Sequence, residues 1–154
     1  MTSPANRDLF LKMLNALGKK DYDTFERCLA DDLLCEWPYV VMEGFPTELQ
    51  GSRRLREALE VSFESFAPYA YRIVELHSLE DPDRLIAEYT SHSHYLPRDL
   101  PYSNRYVGIF DFHAGQITRW REYVNPLVVL ETLGDGQEWR EDRGAQRKKG
   151  THSD

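Results

Sequence analysis

One carboxylate stands out by its neighbours in the chain. Side chains of a strand alternate between two faces, so a strand from Thr118 to Asn125 would place Glu122 beside Trp120 and Val124. A carboxyl group among apolar side chains has a raised pKa, because burial disfavours its charged form. Such a group can exchange protons near neutral pH, as general acid–base catalysis requires. The alternative is a solvent-facing Glu122 that pairs with a neighbouring arginine.

A second group of chemically active side chains lies in another alternating segment. Glu88, Thr90, His92 and His94 share one face of that predicted strand. We predict that His92 acts as a proton shuttle in a cleft. His92 and His94 could instead bind one metal ion, as His-x-His can on a strand. The chain contains no HExxH helix or EF-hand loop. We therefore predict no metal and no other cofactor.

Several polar or aromatic side chains could bind a substrate. Trp37 and Tyr39 bracket Pro38 and could line the mouth of a pocket, or simply pack in the core. Ser62 interrupts an apolar helical face, where its hydroxyl could instead bond the carbonyl four residues earlier. The predicted substrate-binding residues are Trp37, Tyr39, Ser62, Tyr106, Trp120 and Asn125.

Composition excludes several classes of function. The 154 residues are 41% hydrophobic and 29% charged, which is typical of a globular protein. The net charge of −7 argues against a nucleic-acid partner, which needs a basic face. The sequence contains no run of 18 apolar residues, so no membrane span is predicted. Residues 1–10 do not resemble a secretory signal. Cys28 and Cys35 cannot form a disulfide framework, so we expect reduced thiols in a cytoplasmic protein.

The pattern of elements predicts an α+β domain over residues 1–134. Helices are expected from Ser3-Pro4 to Gly18, from Asp21 to Asp31-Asp32, and from Ser52 to about Phe66. Extended segments are expected at Leu33 to Tyr39, Tyr69 to Leu79, Arg84 to Leu96, Tyr102 to His113 and Gln116 to Leu133. Residues 43–51 read as a loop, and residues 135–154 as a charged, mobile tail.

The closing stretch from Gly115 to Pro126, GQITRWREYVNP, carries a family resemblance. After three helices and a long sheet, it resembles the SnoaL-like branch of the nuclear transport factor 2-like superfamily, and most closely the phenazine biosynthesis A/B proteins. The resemblance covers about residues 5–133. It implies a cone-shaped α+β barrel, with three N-terminal helices packed on a curved, mainly antiparallel sheet around a pocket. It also implies a homodimer.

The resemblance assigns roles to particular positions. The family's acidic catalytic residue falls on Glu122, and a serine of its third-helix site falls on Ser62. The family's histidine one turn earlier falls on Ala58, which is a departure that His92 could compensate.

These observations favour a cofactor-independent acid–base enzyme of isomerase, cyclase or condensation type. Its substrate would be a small, largely apolar carbonyl compound of secondary metabolism. The alternative is a non-catalytic protein of the same cone fold that binds a small molecule or scaffolds a partner.

Overall fold

The computed structural model describes residues 1–39 and 44–134. The predicted tail at 135–154 lies outside the described residues. The helices are α1 (Pro4–Gly18), α2 (Tyr22–Arg27), α3 (Ser52–Phe63) and α4 (Pro126–Leu133), with a short 3-10 turn at Leu96–Arg98. The strands are β1 (Leu29–Glu36), β2 (Glu48–Gln50), β3 (Ala70–Ser78), β4 (Arg84–Tyr95), β5 (Leu100–His113) and β6 (Gln116–Val124). No helix in these ranges is both long and apolar enough to span a bilayer.

The six strands form one mixed sheet in the order β2-β1-β6-β5-β4-β3. Only β1 and β6 run parallel, while the other neighbours are antiparallel. The α+β class and the mainly antiparallel sheet are therefore confirmed. The described strands do not close into a barrel, because β2 and β3 remain at opposite edges.

The two faces of the sheet differ in burial. We call the face that carries Leu85, Ala87, Tyr89 and Ser91 of β4 the inner face, since all four are at most 1% exposed. Buried side chains of α1, α2 and α3 join the same core cluster. The opposite, outer face carries the even-numbered residues of β4, which are half-buried or exposed.

Three predictions about elements were wrong. Residues 43–51 were expected to form a loop, but Glu48–Gln50 of that segment form β2. The strand expected from Gln116 to Leu133 ends at Val124, and a fourth helix follows it. The Asn125 side chain caps this helix by accepting a hydrogen bond from the Leu127 amide at 3.1 Å, and Pro126 occupies the first turn. Asp31-Asp32 do not end a helix but lie inside β1, because α2 already ends at Arg27.

The end of α1 is fixed directly against the start of the sheet. The Tyr69 amide donates to the Gly18 carbonyl at 2.9 Å, just before β3 begins. A Cβ atom on Gly18 would lie 2.4 Å from the Tyr69 carbonyl oxygen. Glycine is therefore required here by the close approach of two backbones, and not by an unusual φ angle.

We predict that Gly18→Ala destabilises the protein. Alanine favours a helix over glycine by about 1 kcal/mol, but overpacking a well-packed site costs about 1–3 kcal/mol. Here the contact is with backbone that cannot swing away, so the cost should exceed the gain. Urea denaturation should show a lower midpoint for Gly18→Ala. Exposed Lys12→Ala on the same helix should stay within about 0.5 kcal/mol of wild type. Unchanged stability of Gly18→Ala would contradict this account.

Candidate active site

A half-enclosed cavity of about 140 Å³ lies between the inner face and the helices. An engineered apolar cavity of about 150 Å³ takes up benzene, so this space suits a ring-sized molecule. Its lining is mainly aromatic and aliphatic, with one carboxyl group, and includes Trp37, Phe45, Leu59, Phe63, Phe66, Tyr69, Tyr71, Tyr95, Tyr102, Tyr106, Trp120, Glu122 and Val124.

Glu122 is the ionisable carboxyl group of this cavity. Burial raises its pKa from the ordinary 4.5 to about 7, while hydrogen bonds from Tyr89 and Trp37 act in the opposite direction. The neighbouring arginines do not reach it, because Arg119 and Arg121 both pair with Glu36, at 2.8 and 3.1 Å. The alternative in which Glu122 pairs with a neighbouring arginine is therefore not formed; the side chain is partly exposed and lines the cavity.

The Tyr89 hydroxyl donates a hydrogen bond to Glu122 Oε2. Tyr89 lies on β4 and Glu122 on β6, so the tyrosine side chain must reach across β5. Gly108 of β5 stands directly opposite Glu122 in the register. A Cβ atom on Gly108 would lie 3.1 Å from the Tyr89 hydroxyl and 2.5 Å from the Phe110 ring. The missing side chain of Gly108 thus leaves the space through which Tyr89 holds the carboxyl group.

The tyrosines around Glu122 are neutral groups. Burial raises the pKa of Tyr71, Tyr89 and Tyr106 well above the ordinary value of 10, and the Glu122 charge adds to the rise. These phenols therefore keep their protons at every pH at which Glu122 titrates. They can donate hydrogen bonds, whereas Glu122 can also accept a proton and so act as a base.

Four of the predicted site residues line the cavity together with Glu122: Trp37, Ser62, Tyr106 and Trp120. The Ser62 hydroxyl donates to the Ala58 carbonyl at 2.9 Å, so its proton is used inside α3. Trp120 is 4% exposed, and its indole nitrogen has no acceptor at hydrogen-bonding distance and angle among the described residues.

Three predicted site residues lie outside the cavity. His92 is exposed on the outer face, where Nδ1 bonds the Ser103 hydroxyl at 2.9 Å. Tyr39 is 60% exposed and packs edge-on against Tyr123. Asn125 is the cap of α4 described above. The structure therefore does not bring His92, Tyr39 and Asn125 into this cavity with Glu122.

The alternative of a metal site at His92 and His94 is not supported by their contacts. His92 bonds Ser103, whereas His94 bonds Asp99. A different outer-face cluster has metal-ligand atom types: His77 Nε2 lies 2.8 Å from Glu88 Oε2 and 3.8 Å from Glu75 Oε2. The hydrogen bond to Glu88 raises the pKa of His77, so the cluster already neutralises part of its own charge.

Sequence reasoning missed Tyr89 and Gly108. A partial signal for Tyr89 was present, since Ala87 and Tyr89 alternate with the polar residues Glu88 and Thr90. No comparable signal identified its partner, because Glu122 is 33 residues away and two strands over. Gly108 is an isolated glycine in the sequence, and no motif marks its role there.

Comparisons with known proteins give the fold a family context. The SnoaL-like domain matches residues 10–120. The uncharacterized protein YesE of Bacillus subtilis is 29% identical over 129 residues, which are 80% of this chain and 83% of that protein. The phenazine biosynthesis protein PhzB2 of Pseudomonas aeruginosa is 24% identical over 131 residues, covering 83% of this chain and 80% of that protein.

Solved structures agree with the sequence comparisons. The crystal structure of PhzB2 from Pseudomonas aeruginosa superposes with a TM-score of 0.71 at 22% identity, over 85% of this chain and 82% of that one. An LEH-like epoxide hydrolase from M. tuberculosis superposes with a TM-score of 0.66 at 25% identity, over 85% of this chain and 90% of that one.

We predict that Glu122 makes folding stability depend on pH. Between its unfolded pKa of 4.5 and its folded pKa of about 7, only the unfolded state releases this proton. The free energy of unfolding should therefore fall across that window, by about 3 kcal/mol from this group alone. Glu122→Gln should match wild type at pH 4 and exceed its stability at pH 8, as measured by urea denaturation.

The matched control is Glu48→Gln, which removes an exposed carboxyl group of β2. It should preserve the wild-type fall in stability between pH 4 and pH 8. Parallel curves for wild type and Glu122→Gln would show that the Glu122 carboxyl group is not desolvated.

Proposed function

The chain belongs to the SnoaL-like domain family, and we propose that it is a cofactor-independent acid–base catalyst of the isomerase or cyclase type. The observation that carries the proposal is the Glu122 carboxyl group, with a pKa of about 7, inside a ring-lined cavity. A general acid–base group works best when its pKa lies near the working pH.

The proposed reaction begins at a carbon next to a substrate carbonyl. The Glu122 carboxylate removes a proton from that α-carbon, and the C–H electron pair becomes the carbon–carbon double bond of an enolate. The carbonyl π pair moves onto oxygen. Return of the proton from Glu122 to another carbon completes an isomerisation. In a cyclisation, the enolate carbon instead attacks a second carbonyl, the π pair of that carbonyl moves onto its oxygen, and this oxygen takes the proton from Glu122. Tyr89 is a positioning residue, because its hydroxyl bonds the carboxyl group and not the substrate.

The lining also defines a substrate class. No lysine, arginine or histidine lies among the described lining residues, so no cation there can pair with an anionic substrate. An ionised Glu122 would repel a second carboxylate in this poorly solvated space. We therefore propose a neutral, largely apolar ring ketone as substrate. Aromatic side chains on several sides favour a planar ring.

The relatives support this reaction type at a coarse level. A phenazine biosynthesis protein bears the name of a pathway that builds rings, and a SnoaL-like domain spans most of this chain. The setting we propose is accordingly secondary metabolism, in a cytoplasmic homodimer. The departure at Ala58 argues against an identical reaction, because no imidazole replaces the family's histidine in the cavity.

We predict that the protein accelerates hydrogen exchange in 2-indanone, a small ring ketone with acidic benzylic α-protons. In D2O, proton NMR should show a faster loss of the α-proton signal with wild type than with buffer alone. Exchange should rise with a midpoint near pH 7, since the ionised form of Glu122 is the base. Glu122→Gln keeps the shape but removes the base, so the rate above background should fall about 10²–10⁴-fold.

Glu48→Gln serves again as the control and should exchange like wild type. If wild type binds 2-indanone without accelerating exchange, the non-catalytic binding alternative is favoured for this ligand. Equal exchange by wild type and Glu122→Gln would reject Glu122 as the base.

We predict a preference for neutral ligands. The test compound 2-indanone-5-carboxylate has the same ring system and ketone as 2-indanone but adds a negative charge. Its affinity at pH 8 should be at least about tenfold weaker than that of 2-indanone, because it enters beside an ionised carboxyl group without a cationic partner. Quenching of tryptophan fluorescence can measure both, since Trp37 and Trp120 line the cavity. Tighter binding of the carboxylate would contradict the proposed substrate class.

A further inference from the structure

Two hydrogen-bonded pairs of polar side chains lie at one end of the cavity: Ser91 with Tyr106, and Asn104 with Tyr102. Ser91 of β4 and Asn104 of β5 stand opposite each other in register, and both are at most 3% exposed. Tyr102 and Tyr106 flank Asn104 on the same face of β5, and both line the cavity. The proton positions in the two pairs follow from which groups can donate and which can only accept.

The orientation of the Asn104 amide is fixed by backbone groups. Its Oδ1 accepts from the Arg105 amide at 2.8 Å, and its Nδ2 donates to the Asn125 carbonyl at 3.2 Å. The second proton of Nδ2 goes to the Tyr102 hydroxyl oxygen at 2.9 Å. Because an amide nitrogen can only donate, the Tyr102 oxygen must accept here and keeps its own proton for another partner.

The direction of the hydrogen bond between Ser91 and Tyr106 follows from the surroundings of Ser91. Its hydroxyl lies 2.7 Å from the Tyr106 hydroxyl, and either oxygen could be the donor by distance alone. Ser91 is fully buried, and its hydroxyl has no other partner among the described residues. If Tyr106 donated to Ser91, the serine proton would be buried without an acceptor, at a cost of about 1–3 kcal/mol. Ser91 therefore donates to Tyr106.

The Tyr102 hydroxyl keeps a free proton at the cavity. Its oxygen accepts from Asn104, no described residue accepts its proton, and Tyr102 lines the cavity. Because Asn104 is held by two backbone groups, the position of the Tyr102 oxygen is fixed. A phenol that accepts a hydrogen bond is polarised and becomes a stronger donor.

We propose that the Tyr102 hydroxyl donates the hydrogen bond that holds the substrate's carbonyl oxygen, with Asn104 fixing the position of the phenol oxygen. This inference rests on the proposed function, in which Glu122 removes the α-proton and charge accumulates on the same oxygen. A fixed donor stabilises that oxygen more in the enolate than in the ketone. Burial raises the pKa of Tyr102, so the phenol stays protonated while Glu122 titrates.

The test compares 2-indanone with indane, which has the same ring system without the oxygen. Affinities come from tryptophan fluorescence quenching. The ratio of the two affinities should fall about threefold to tenfold in Tyr102→Phe, as expected for one hydrogen bond, while the affinity for indane is kept. Ser91→Ala removes the partner of Tyr106 and not that of Tyr102, so it should leave the ratio unchanged. A purely structural role of Tyr102 would weaken both ligands alike and leave the ratio unchanged.

The control is Tyr123→Phe, which removes a phenol hydroxyl from a tyrosine that does not line the cavity. Its affinity ratio should equal that of wild type. An unchanged ratio in Tyr102→Phe overturns the proposal, as does a wild-type protein that shows no preference for 2-indanone over indane.

A second measurement needs no variant and covers the case in which Tyr102→Phe does not fold. Infrared difference spectra of carbonyl-13C-labelled 2-indanone report hydrogen bonding to the oxygen directly. The bound carbonyl band should lie at lower frequency than in a hydrocarbon solvent. A band at the hydrocarbon frequency overturns the proposal.

The two proposals fail separately. If Glu122 is not the base, exchange is absent but the affinity ratio still depends on Tyr102. If Tyr102 is not the donor, the ratio is unchanged by Tyr102→Phe, whereas exchange still depends on Glu122. Glu122→Gln should accordingly lose exchange and keep the preference for 2-indanone.

Discussion

The desolvation of one carboxyl group is the constraint on which the site depends. Glu122 is one of 26 acidic residues in a chain of net charge −7, and most such groups gain nothing by leaving water. It is placed in the cavity, where burial raises its pKa to about 7. Tyr89 and Trp37 provide enough hydrogen bonding to keep the charged form accessible. With less burial the group would not hold a proton near neutrality, and without these donors it would rarely lose one.

The surroundings of Glu122 depend on the register of the sheet and on the missing side chain of Gly108. Tyr89, Gly108 and Glu122 lie on three adjacent strands, so their relative positions depend on two strand pairings. A side chain at position 108 would collide with the Phe110 ring and the Tyr89 hydroxyl. The same glycine therefore permits the aromatic core to close and the carboxyl group to be held. Core packing and site geometry are here a single requirement, which links stability to function at this position.

The sequence was sufficient for features set by local periodicity. Alternation predicted that Glu122 shares a face with Trp120, and capping residues predicted the start of α1. Features set by pairing between distant segments could not be predicted, including the Tyr89 partner and the place of Gly108 between them. The α4 helix was missed for a different reason. Its Val128-Val129 pair favours a strand, and this outweighed the Asn125-Pro126 start signal, although Ser3-Pro4 had been interpreted correctly.

The position of the polar groups sets this site apart from the one that the family resemblance implies. The third helix offers Ala58 where the resemblance expects a histidine, and the Ser62 proton is bonded to the Ala58 carbonyl itself. That helix therefore supplies no free donor from these two positions. The phenols of Tyr102 and Tyr106 instead reach the cavity from β5, where strand pairing fixes the positions of their backbones. On the proposed function, a donor on the sheet and not on α3 would change which part of a ring ketone is held, while Glu122 would still transfer the proton at carbon.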